Sequence, residues 1–174
     1  QAPIPDLRET IAQVANEKHS VDLSFQPRLE SVSAVRRFLE VHYRRLVSNS
    51  ALISRMAVTA HELLENAAKY SAGGESRLRV EVDPSVPNAL SVSVESSADP
   101  RHLPDLKAII AELSEAPDPF DVYLRCMMRA ANRSEGSGLG LARIFVEADM
   151  SLKLELSDAC ICIEAVAIRP AVAP

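Results

Sequence analysis

Two short segments, far apart in the chain, constrain its fold more than any other feature. His61-Glu62-Leu63-Leu64-Glu65-Asn66-Ala67-Ala68-Lys69-Tyr70 continues a helical pattern in which a carboxylate and an amide stand four residues apart. Gly136-Ser137-Gly138-Leu139-Gly140-Leu141 is a glycine-rich loop that runs into an apolar helical pattern. Residues four apart on a helix share one face, so Glu62 and Asn66 lie about one turn from each other. Glycines leave backbone N–H groups open to an approaching anion, and a helix N-terminus adds partial positive charge at the same place. A fold that brings the helix face to the loop would build a nucleotide site from side chains on one wall and a backbone phosphate cradle on the other.

The rest of the chain is consistent with one core. Its 174 residues, 47% of them apolar, suit a single globular domain. A short helix is expected over residues 6–18, with Leu7, Ile11 and Val14 on one side, as an N-terminal extension over 1–20. The main domain then spans 21–174. Residues 21–25 alternate as a strand. Residues 30–47 form a helix whose apolar positions are Val32, Val35, Phe38, Leu39, His42, Tyr43 and Leu46, with Arg36, Arg37, Arg44 and Arg45 mostly opposite as a solvated face. Residues 51–70 form the next helix, stopped by Ser71-Ala72-Gly73-Gly74. Strands at 77–82 and 90–95, helices at 102–113, 120–132 and 139–148, and a closing hairpin of 152–156 with 161–168 complete the order. Helices mixed with short alternating strands predict an α+β fold, a two-layer sandwich with a mostly antiparallel, mixed sheet and helices on one face.

Composition narrows the function classes. A net charge of −5 with no basic block argues against nucleic acid. No apolar run reaches the roughly 20 residues needed to span a bilayer, so no membrane partner is expected. Cys126, Cys160 and Cys162 are odd in number and lack zinc-type spacing, which fits a reducing, cytoplasmic location. Cys160 and Cys162 alternate on a strand and are expected as small buried hydrophobes.

Within the first segment, Glu62 is suited to take a proton from a hydroxyl or water, and the Asn66 amide oxygen to bind Mg²⁺. Lys69, one turn further, can meet a phosphate. The glycine loop is not a Walker loop, since no Lys-Ser/Thr follows it.

Taken together and in this order, the segments resemble the GHKL (Bergerat-fold, histidine-kinase-like) ATPase superfamily. Residues 62–71 are similar to its N box, and residues 136–142 to its second glycine box. The resemblance covers about residues 21–168. It implies ATP and Mg²⁺ as cofactors, Glu62 as general base, Asn66 as Mg²⁺ ligand, and Gly136, Ser137, Gly138, Leu139 and Gly140 as the phosphate loop. A strand and long helix directly before the N box are most similar to the bacterial anti-sigma-factor serine/threonine kinases. That likeness implies a signal-transduction role in a partner switch: phosphate transfer to a serine of a STAS-type antagonist, a sigma factor or other regulator as further partner, and a homodimer.

The superfamily also carries an Asp-x-Gly-x-Gly element that reads adenine. Here Ser96-Ser97-Ala98-Asp99-Pro100-Arg101 holds that place with no glycine. Asp99 stands where the adenine-reading Asp belongs, or it caps the following helix. Two alternatives therefore stay open: a non-catalytic interaction module with weak or no nucleotide binding, and the catalytic domain of a sensor histidine kinase. Phe120, Tyr123, Met127 and Met128 lie between this element and the glycine loop. They are expected to pack onto the body, with a partner-binding surface as the sharper alternative.

Overall fold

The computed structural model describes residues 18–132, 138–157 and 160–167. The expected helix over residues 6–18 lies outside them, apart from Lys18. The elements run β1 (His19–Phe25), α1 (Leu29–Arg44), α2 (Ser50–Tyr70), β2 (Ser76–Asp83), β3 (Ala89–Ser97), α3 (Leu103–Glu115), α4 (Pro119–Asn132), α5 (Leu139–Val146), β4 (Met150–Leu156) and β5 (Cys160–Ala167).

The strands form one open sheet in the order β1-β2-β3-β5-β4. Every neighbouring pair is antiparallel, so the sheet is not mixed. Register explains why one face is dry. Val21, Val80, Val92, Ala165 and Leu152 fall opposite one another across all five strands, and all are buried. One residue along, the row reads Asp22, Arg79, Ser93, Glu164 and Lys153. Alternation at period two puts the first row under the helices and the second in water.

The helices cover the dry face. On α2, Met56, Ala60, Leu63 and Leu64 are buried, and the helix packs on β3, α1 and α5. Burying a Leu of this kind stabilises by about 1.5–3 kcal/mol. Asn49 caps α2 by accepting the Leu52 N–H at 3.1 Å. Gly73 and Gly74, both at positive φ, turn the chain out of it. On α1, Val32, Leu39 and Tyr43 are buried, and the Tyr43 hydroxyl donates to the Val80 carbonyl at 3.0 Å, pinning α1 to the sheet.

Three expectations about side chains are corrected. Phe38 is exposed, because α1 buries only the narrow side that meets the sheet and α2, and Leu46 is exposed in the turn that follows the helix. On β5 the buried residues are Ile161, Ile163, Ala165 and Ala167, so Cys160 and Cys162 face the other way and are half-buried. Phe120, Met127 and Met128 are exposed, since α4 turns Val122 and Cys126 inward instead; Tyr123 alone of the four packs against the core. On α2, the polar Thr59 and Glu62 are buried as well. Among the described residues, no helix is long and apolar enough to cross a membrane.

Candidate functional site

Once α2 commits its apolar stripe to the sheet, its adjacent face looks into a cleft of about 450 Å³. The end of β3, helix α3 and the start of α5 form the other walls. Glu62, Asn66, Lys69, Asp99, Gly138, Leu139 and Gly140 all line this one cleft. The volume lies within the usual range of small-molecule sites. Gly136 and Ser137 lie outside the described residues.

Glu62 sits deepest. Its residue is 6% exposed, and burial pushes the carboxyl above its ordinary value. The Arg143 guanidinium opposes that shift, with Nη1 donating to Glu62 Oε1 at 2.5 Å. A buried carboxylate of raised basicity is suited to proton abstraction.

Asn66 lies one turn along. Its Nδ2 is buried and has no hydrogen-bond partner. An unpaired buried donor is costly, and an oxygen-rich ligand in the cleft would satisfy it. Lys69 lines the same wall, but its Nζ donates to Glu65 Oε2 at 2.6 Å, and His61 Nε2 lies 3.4 Å from Glu65 Oε1. Glu65 therefore engages both Lys69 and His61. Its carboxyl is lowered chiefly by the Lys69 hydrogen bond.

The glycine turn meets α2 and α3 closely. Gly138 is the N-cap of α5 in the left-handed region, φ +71°. A Cβ there would lie 2.7 Å from Ile109 Cγ1, so α3 lies against this turn. A Cβ on Gly140 would lie 2.6 Å from Glu62 Oε2. Glycine at 140 thus makes room for the carboxylate as well as opening the backbone.

The expected adenine side differs. Asp99 is 7% exposed and accepts from the Arg101 backbone N–H at 3.0 Å and from Arg101 Nη2 at 2.6 Å. The Arg101 side chain, then its backbone N–H, holds the carboxyl down to about 2. Helix α3 has His102 at its N-cap with no side-chain bond there, so Asp99 does not cap it. The Tyr70 and His102 rings meet edge-on at 5.1 Å beside Asp99.

Among the described residues, no cluster of three or more His, Cys, Asp or Glu could hold a metal ion. Mg²⁺ commonly takes one or two protein ligands together with phosphate oxygens and waters, and Asn66 fits that pattern. The Asn66 end of the cleft thus offers one neutral oxygen ligand beside an unpaired buried donor. At the other end, the Asp99 carboxylate is already engaged by Arg101.

Two residues that sequence reasoning missed complete the site. Arg143 is the sole charged residue in α5, which was the available signal. Ile109 gave none, because it reads as an ordinary core position of α3.

No family model matches the chain, and no curated protein matches it. Among solved structures, a chain in the crystal structure of the SiaB–SiaC complex from Pseudomonas aeruginosa is similar, with a TM-score of 0.63 and 15% identity. The match covers 92% of this chain and 98% of that one. At that identity the likeness is one of fold.

Proposed function

We propose that the chain is an ATP-binding regulator of the anti-sigma serine/threonine kinase type, acting in a cytoplasmic partner switch. The observation that carries this reading is the single cleft joining Glu62, Asn66 and Lys69 to the Gly138–Gly140 turn. The shared fold with a chain from a two-protein complex supports a protein partner. The partner we propose is a STAS-type antagonist bearing the acceptor serine, with a sigma factor or other regulator downstream and a homodimer as the working form.

In this reading the Asn66 amide oxygen would hold Mg²⁺, and the N–H groups of the glycine turn and the Lys69 ammonium would hold the phosphates. Bound MgATP would supply the phosphoryl group, with ADP as the leaving group. Glu62 accepts the proton of the serine hydroxyl at its carboxylate, the form that the Arg143 contact favours. Catalysis is chiefly positioning and charge stabilisation. Titration calorimetry with ATP, ADP and Mg²⁺ tests the binding step, and Glu62→Gln tests the base. Phosphate transfer to a serine-bearing partner that survives Glu62→Gln would remove Glu62 from the role.

A second reading is a non-catalytic interaction module. Capture of Asp99 by Arg101 and the close seat of Ile109 on Gly138 favour it. It predicts no thermal shift with MgATP, whereas a ligand at 100 times its Kd adds about 2.7 kcal/mol.

A further inference from the structure

We propose that Arg143 is a positioning residue for Glu62, and that the Tyr123 hydroxyl on α4 holds Arg143 in place through Glu147. The role assigned to Arg143 rests on the reading of Glu62 as general base.

The contacts form one chain from the outer helix to the cleft floor. Tyr123 Oη donates to Glu147 Oε1 at 2.9 Å. Arg143 Nε donates to both Glu147 oxygens at 3.2 Å. Arg143 Nη1 donates to Glu62 Oε1 at 2.5 Å. The other Glu62 oxygen takes the space that a side chain at Gly140 would fill. One oxygen is thus held by a charge-assisted bond, and the other is seated where glycine leaves room for it.

Other charges do not replace this contact. On α2, His61 and Lys69 are both engaged with Glu65. From the remaining elements, Asp99 and His102 after β3, Asp105 and Glu112 of α3 and Arg129 of α4 line the same cleft; Asp99 is bonded to Arg101, and Arg129 to Glu112. Arg143 is the cation in hydrogen-bond contact with Glu62. Its side chain is 39% exposed while that of Glu62 is 8% exposed. The donor therefore stands at the rim, where a change in α4 can reach it, and the acceptor is inside.

The test uses nucleotide-free protein labelled with ¹³C-carboxyl glutamate, the Glu62 resonance being assigned by its loss in Glu62→Gln. We expect that resonance to move in Arg143→Met, to return most of the way in Arg143→Lys, and to move in Tyr123→Phe. A resonance unmoved by Arg143→Met overturns the positioning role, and one unmoved by Tyr123→Phe overturns the link to α4. If Arg143→Met fails to fold, Arg143→Lys and Tyr123→Phe carry the test. In phosphate transfer, kcat falls about 100-fold in Arg143→Met, the loss expected of a misplaced catalytic group, with Kd for MgATP unchanged and with recovery in Arg143→Lys. Loss of MgATP binding together with kcat overturns positioning. Absence of MgATP binding in the unsubstituted protein instead refutes the kinase reading and leaves the resonance result standing by itself.

Discussion

Replacing Gly140 with alanine separates the base from the fold. The new Cβ would lie 2.6 Å from Glu62 Oε2, where ordinary contact begins at 3.4 Å, so the carboxylate must retreat by about 0.8 Å. The atom met is the far end of a side chain, and it can move. Alanine gains about 0.5 kcal/mol over glycine here, the low end of the helix range, because Gly140 is the second residue of α5. Disturbing the Arg143–Glu62 pair costs about 1 kcal/mol, because water screens the part-exposed arginine while the glutamate stays buried. The two effects nearly cancel, so the melting temperature stays within about 4 °C. Activity does not share that cancellation, since a displacement near 1 Å costs about 100-fold. Thermal unfolding and phosphate transfer, measured on one preparation, check both halves. A stability loss above about 3 kcal/mol would show that the methyl meets packing that cannot yield. Unchanged transfer would show that Glu62 does not depend on its seat against Gly140.

Three further outcomes follow from the same contacts. Tyr43→Phe removes the buried bond to the Val80 carbonyl and lowers stability by about 1 kcal/mol, read from denaturant midpoints at constant m. The Asp99 carboxyl is held near 2, below its ordinary 3.8, so its contribution is present above pH 3.8 and is lost as pH falls through 2; Asp99→Asn flattens the stability–pH curve across that window, read by acid unfolding. Glu62 has the opposite sign: its folded value lies above 4.5 because of burial, so its contribution is present below pH 4.5 and is lost as pH rises through the folded value. Glu62→Gln is therefore more stable than the parent at pH 7, with the gap closing below pH 4.5, while phosphate transfer is lost.

Much of this fold follows from spacing alone. The alternation in Leu78, Val80 and Val82 and in Leu90, Val92 and Val94 needs nothing but the two-residue period to set a dry face and a wet one. The four-residue step from Glu62 to Asn66 likewise places both on one wall before any tertiary contact is known. Contacts between distant segments were not legible. Arg143 reaches Glu62 across the chain, and Ile109 settles on Gly138, through helix packing that no local pattern encodes. Exposure of Phe38, Met127 and Met128 was hidden for a related reason. A helical stripe says which residues share a side, and the number of neighbours a helix acquires decides how wide that side becomes. The Asp99–Arg101 contact is local, yet two roles competed for the same carboxylate, and geometry assigned it a third.

The most direct test of the central claim is titration calorimetry of MgATP into the unsubstituted protein and into Asn66→Ala. Saturable, Mg²⁺-dependent binding is expected in the former, and loss of that Mg²⁺ dependence in the latter. No heat of binding from ATP in the unsubstituted protein, with or without Mg²⁺, would contradict it.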